Sequence, residues 1–183
     1  MAEEGGDDSG MRNRFRAILL RGCGLVFVAG LAVLPGLSDD WGPAQFLVGQ
    51  WTGEGTGQPG AGSGAFSFAP DLQGKVLVRK NYAEYPPAGG KPGFRHDDLA
   101  VLYREAGRLR AIYFDSEEHV IRYAVEPAPG GVVMLSEGPA SAPRYRLTYT
   151  STGADTLTLK FEVAPPGKDF STYIEAHARR SRP

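Results

Sequence analysis

From Asp39 onward, apolar and polar residues alternate with a period of two, and residues that tolerate tight turns return at nearly regular intervals. A period of two is typical of a β-strand that buries one face and exposes the other, as the strands of antiparallel sheets do. The pattern therefore predicts an all-β domain. The alternation is clearest in four segments: Leu99/Val101/Tyr103, Leu109/Ala111/Tyr113, Tyr145/Leu147/Tyr149 and Leu157/Leu159/Phe161.

Ten strands are predicted, and the connections between them are short and rich in turn residues. Short connections join neighbours in space, so the expected topology is an up-and-down meander, and closure into a single antiparallel β-barrel removes the exposed edges. A barrel of ten strands is wide enough to leave a cavity for a ligand. Trp41–Gln45 has room for one helical turn that plugs an end. The predicted strands are 46–54, 64–69, 75–82, 98–104, 108–115, 119–125, 132–136, 144–150, 156–163 and 170–179.

The first 38 residues differ from the rest of the chain. Four arginines between positions 12 and 21 precede a 17-residue uncharged run, 22–38, that ends in small residues. This pattern predicts a secretory signal peptide cleaved before Asp39, and hence an exported, periplasmic or extracellular, domain over 39–183. The alternative is an uncleaved membrane anchor over 22–38. Residues 1–10 are predicted to be non-structural, and translation from Met11 would remove them.

The charge balance and the polar motifs exclude some functions. The net charge is −1, from 20 basic and 21 acidic side chains, and no basic block is present, so nucleic-acid binding is not expected. His96-Asp97-Asp98 and Glu117-Glu118-His119 each place a histidine beside carboxylates, but nothing in their spacing indicates that they meet, so they are predicted to be solvated turns and not a metal site. Ser116 follows Asp115, but the sequence indicates no general base that could activate its hydroxyl, so a nucleophilic serine is not predicted. No catalytic residue is predicted, and enzymatic activity stays open.

Gly49–Gly57 forms a G-x-W-x-G-x-G-x-G run that follows Phe46-Leu47-Val48. This run resembles the first strand of the lipocalin-like, or calycin, β-barrels, and its extra glycines are most similar to those of nitrobindin and related bacterial barrels. The resemblance extends over 44–180 and implies that Trp51 packs across the closed end. The linker at 55–63 is too short for the helical lid of fatty-acid-binding barrels.

The resemblance to nitrobindins implies a haem cofactor held by a histidine near the last strand, and by position that histidine is His177. On the residues alone, the alternative is that His177 is a solvated surface residue between arginines. A haem-binding barrel acting on nitrogen oxides is therefore one hypothesis for the function.

The leading hypothesis is an exported barrel, monomeric or weakly dimeric, that binds a small apolar or amphipathic molecule inside. Tyrosines suit such a pocket because they combine an aromatic ring with a hydroxyl. Arginines would bind a ligand carboxylate if they point inward, and would keep the outer face solvated if they point outward. A third hypothesis is a ligand-free envelope interaction module with an exposed apolar patch. The predicted ligand contacts are Trp51, Tyr113, Arg122, Tyr145, Arg146 and Tyr173.

Overall fold

The computed structural model describes residues 41–181. The predicted signal peptide, the alternative anchor over 22–38 and the choice between Met1 and Met11 lie outside the described residues. Across 41–181, no helix combines the length and the apolar character needed to cross a membrane.

Ten antiparallel strands form a closed barrel, which confirms the predicted fold class. Each strand pairs with the next one along the chain, and the first strand pairs with the last, so the topology is up-and-down. The strands are β1 Gly49–Gly57, β2 Gly62–Asp71, β3 Val76–Tyr85, β4 Phe94–Glu105, β5 Arg108–Asp115, β6 Val120–Ala128, β7 Gly131–Ser136, β8 Arg144–Gly153, β9 Thr156–Ala164 and β10 Ser171–Arg180.

A short 3₁₀ helix, Gly42–Leu47, precedes β1. The helical turn predicted at Trp41–Gln45 is therefore correct, but the first strand begins three residues later than predicted because Phe46 and Leu47 belong to the helix. Pro43 suits the first turn of this helix, where its missing N–H breaks no hydrogen bond. Ala44 and Leu47 are fully buried, so the helix packs against the barrel core.

Trp51 and Arg180 close one end of the barrel, which we call the closed end. The Trp51 indole is 1% exposed, its Nε1 donates a hydrogen bond to Leu47 O at 2.9 Å, and its ring stacks on Phe66. The Arg180 guanidinium lies 4.3 Å from the centroid of the indole and donates hydrogen bonds to the carbonyls of Val48 and Phe46. Together these contacts tie the helix, the first strand and the last strand.

Gly53 marks a close approach between β1 and β10. A Cβ atom at this position would lie 2.5 Å from the backbone oxygen of His177 and 3.1 Å from the Cα of Ala178. Real carbon atoms do not approach backbone this closely, so only glycine allows the two strands to pair here. The glycines of the predicted motif thus permit the tight closure of the barrel.

The inner face of β4 is the opposite of the predicted one. Ala100 and Leu102 are buried in the core, whereas Leu99, Val101 and Tyr103 occupy the alternate positions on the outer face. The prediction failed because both faces of this strand carry apolar residues, so hydrophobicity alone does not choose between them. The inner face continues towards the other end of the barrel with Asp98 and His96, and this places two polar side chains inside.

Candidate ligand-binding cavity

A cavity of about 610 Å³ occupies the end of the barrel opposite Trp51, which we call the open end. Its volume falls in the usual range for small-molecule sites, about 300–1,000 Å³. The closed end is filled by large side chains, including Phe68, Leu102 and Tyr149, which are 0–1% exposed. The cavity is therefore deep but open to solvent at one end.

One wall of the cavity is apolar and is formed by β8, β9 and β10. Leu147, Leu159 and Ile174 contribute aliphatic surface. Tyr145 stacks on Phe161 with their centroids 6.0 Å apart, and Phe161 meets Tyr173 edge to face at the same distance. Such aromatic pairs present a broad apolar surface with hydroxyl groups at its border.

The opposite wall is polar and begins with a buried ion pair between Arg79 of β3 and Asp98 of β4. Their side chains are 5% and 4% exposed, and an Arg79 guanidinium nitrogen contacts Asp98 Oδ1. Asn81 Nδ2 donates a hydrogen bond to the other carboxylate oxygen at 2.7 Å. The antiparallel register sets Asn81 directly opposite Asp98 and brings Arg79 within reach. The Asn81 amide thus satisfies the second carboxylate oxygen of the pair, whereas the buried Arg79 Nε has no hydrogen-bond partner among the described residues.

His96 connects this pair to the loop between β5 and β6. Its Nδ1 lies 3.1 Å from Glu117 Oε1, and its Nε2 lies 3.1 Å from the Tyr113 hydroxyl and 3.5 Å from Asp98 Oδ2. The expectation that the motifs at 96–98 and 117–119 stay apart is therefore wrong, and 96–98 lies within β4 instead of in a turn, whereas 117–119 is exposed outside the strands as predicted. They meet because β4 and β5 are paired and the β5–β6 turn folds back over the open end.

Asp115 and Tyr113 have opposite electrostatic environments. Burial alone would raise the pKa of the Asp115 carboxyl, but hydrogen bonds from the backbone and ring of His119 and from the Glu117 backbone outweigh it and lower that pKa. Burial raises the pKa of the Tyr113 hydroxyl well above its ordinary value, and Asp115 adds to the shift. The polar wall therefore offers a carboxylate beside a phenol that stays neutral.

The rim of the open end is aromatic. Tyr85 and Phe94 stack with their centroids 4.6 Å apart. Phe94 is 46% exposed and Tyr173 is 39% exposed, which is unusual for large aromatic side chains. Gly62 makes room for this arrangement, because a Cβ there would lie 2.7 Å from the Tyr85 ring.

Three of the predicted ligand contacts, Tyr113, Tyr145 and Tyr173, line the cavity together. Trp51 does not line it and lies instead in the closed end. Arg122 is exposed on the outer face of β6.

Arg146 and His177 are also turned away from the cavity. Arg146 Nε donates a hydrogen bond to Glu162 at 2.6 Å, and its guanidinium lies over the Phe170 ring. His177 is exposed and stands between Glu54 and Thr158 in the sheet. A haem inside the barrel could not be ligated from this outward position.

The cavity residues that the sequence did not reveal are Arg79 and Asn81, and Asp98 was noticed only as part of the His96-Asp97-Asp98 motif. Polar residues at alternate positions of β3, following the buried Leu77, were the available signal. Within 41–181, no group of three or more histidine, cysteine, aspartate or glutamate side chains is arranged to hold a metal ion.

Comparisons with known proteins assign no family to this chain. No family model matches the chain, so no family assignment supports a nitrobindin-like relationship. No curated protein matches it either. Among solved structures, a de novo designed fluorescence-activating β-barrel is 11% identical, covers 75% of this chain and 96% of its own, and has a TM-score of 0.40. The S-type phycobiliprotein lyase CPES from Guillardia theta is 12% identical, covers 76% and 90%, and has a TM-score of 0.47.

Proposed function

We propose that this protein binds a small amphipathic molecule in the cavity at the open end of the barrel. One observation carries the proposal: the cavity is about 610 Å³ in volume and divides into an apolar wall on β8–β10 and a polar wall on β3–β5. A packed core would have no such space, because protein interiors are filled to the density of organic crystals.

The two walls would make different contributions to binding. Removal of the ligand's apolar surface from water against Leu159, Leu147 and Ile174 supplies affinity. The polar wall supplies orientation, because Tyr113 and His96 present hydrogen-bonding groups at fixed positions. A ligand displaces the water that hydrogen-bonds to Tyr113 and His96. If it offers no polar group in return, these side chains lose a hydrogen-bond partner and the ligand binds more weakly.

The direct test fills the cavity. In Leu159→Trp the larger side chain takes up space in the middle of the apolar wall, and we expect the dissociation constant of the neutral probe N-phenyl-1-naphthylamine to rise at least about tenfold. Probe fluorescence measured in a titration reports binding. Thr158→Trp is the matched control, because Thr158 is the neighbouring residue on the outer face. The dissociation constant of the probe for this variant should stay within about twofold of that for the parent protein. Unchanged affinity in Leu159→Trp would place the probe elsewhere and contradict the proposal.

We also propose that the domain works after export, on the strength of the arginine-rich segment and uncharged run that precede Asp39. When the protein is expressed in a host that exports it, N-terminal sequencing of the exported chain should give Asp39 as the first residue. Recovery of a chain that retains residues 22–38 in the membrane fraction would favour the anchor instead.

A further inference from the structure

The charges that line the cavity are unequally distributed. Among the lining residues that the structure describes, Arg79 is the one with a permanent positive charge. Three residues with carboxylate side chains on this side of the sheet line the same space: Asp98, Asp115 and Glu117. Because the cavity is narrow and largely enclosed by protein, such an excess of one sign is screened less than it would be on an open surface.

Arg79 is not available to an anionic ligand. Its guanidinium is bound to Asp98, and both side chains are almost fully buried at the floor of the cavity. A ligand carboxylate that reached Arg79 would have to displace Asp98 and leave that carboxylate buried without its partner, which is strongly unfavourable. The positive charge inside the barrel is therefore already neutralised.

The rim combines aromatic faces with a carboxylate. Tyr85, Phe94 and Tyr173 surround the opening, and the Glu117 side chain is 56% exposed beside them. Burial raises the pKa of the Tyr85 hydroxyl, and the nearby Tyr173 and Glu117 add to that shift. Aromatic faces carry partial negative charge and attract alkylammonium groups, most effectively when several rings and an anion converge.

We propose that the rim of the cavity selects ligands with a positively charged nitrogen, such as an alkylammonium group, and disfavours carboxylates. The inference rests on the proposed function and specifies its ligand class: an apolar body inside the barrel and a cationic head between Tyr85, Phe94, Tyr173 and Glu117. Fatty acids would meet the Glu117 carboxylate at the rim and a neutralised arginine at the floor.

The test compares three naphthalene probes of matched size that differ in head-group charge: 2-(2-naphthyl)ethyltrimethylammonium, 2-(2-naphthyl)ethanol and 3-(2-naphthyl)propionate. Isothermal titration calorimetry with the full chain gives their dissociation constants at low salt. We expect the cation to bind about tenfold more tightly than the alcohol, and the alcohol to bind more tightly than the carboxylate. Added salt should reduce the difference between the cation and the carboxylate.

Two substitutions at the rim separate charge from aromatic contact. Glu117→Gln should raise the dissociation constant of the cation about three- to tenfold and change that of the alcohol by no more than about twofold. Glu118→Gln is the matched control, since Glu118 is the next residue in the same turn but does not line the cavity. Phe94→Leu keeps an apolar side chain but removes the ring face, so it should weaken binding of the cation more than binding of the alcohol.

The outcomes distinguish the two proposals. If the carboxylate binds as tightly as the cation, or if Glu117→Gln acts equally on all three probes, selection for a cation is overturned while ligand binding in the cavity stands. If none of the three probes binds to the parent protein, the proposed function fails and the selectivity fails with it.

Discussion

Replacement of Arg79 with leucine is expected to lower the free energy of unfolding by about 3–5 kcal/mol, because it leaves Asp98 buried without its partner. Both side chains are at most 5% exposed, so solvent does not screen the lost interaction. Urea denaturation followed by circular dichroism measures the change.

Two further variants show whether the effect belongs to the pair. Lys80→Leu removes a positive charge from the exposed neighbouring position of the same strand and should change stability by no more than about 0.5 kcal/mol. The double variant Arg79→Leu/Asp98→Leu should recover most of the loss, since a buried ion pair can often be replaced by apolar residues at little cost. A double variant as unstable as the single one would show that the stranded carboxylate is not the cause.

Truncation of Trp51 to alanine is expected to destabilise the barrel by about 3–5 kcal/mol. The indole is buried, stacks on Phe66 with centroids 6.1 Å apart, and donates a hydrogen bond to Leu47, so its loss creates a cavity and frees a backbone acceptor. Thermal unfolding monitored by circular dichroism gives the change. Tyr173→Ala, which shortens an exposed aromatic side chain at the rim, should cost much less. Comparable losses from both variants would mean that the closed end is not the main support of the fold.

The architecture could be predicted from sequence because it depends on local signals. Strand periodicity and turn residues are each readable within a few positions, and the short connections allow few topologies. The inner face of β4 was not predictable in this way. Leu99 and Val101 on the outer face are as apolar as Ala100 and Leu102 on the inner face, so the choice depends on the pairing with β3 and not on the strand itself.

The candidate site was only partly predictable. Tyr113, Tyr145 and Tyr173 could be proposed because each combines an aromatic ring with a hydroxyl, and all three line the cavity. The polar wall could not be proposed, since Arg79 and Asp98 become partners only through the register of two strands. The contact between His96 and Glu117 depends on the β4–β5 pairing and on the turn that follows it.

The orientation of the arginines could not be predicted from residue type. Inward and outward orientations were both consistent with the alternation around Arg146, and the structure places its guanidinium outside against Glu162. The inward arginine is Arg79, and the signal for it in the sequence is that Arg79 and Asn81 share a parity with Leu77 along β3.

The pairing of the first strand with the last has a consequence for the order in which the barrel forms. Trp51 pairs with Arg180, near the two ends of the described chain, so closure brings together residues that are far apart in sequence. Contacts of this kind are formed late and slow the folding of β-proteins. While the chain is being synthesised, β1 and β9 keep unpaired edges until β10 is in place, and such edges pair readily with other chains. The vulnerable interval in the life of this protein is therefore the time before its last ten-residue strand is in place.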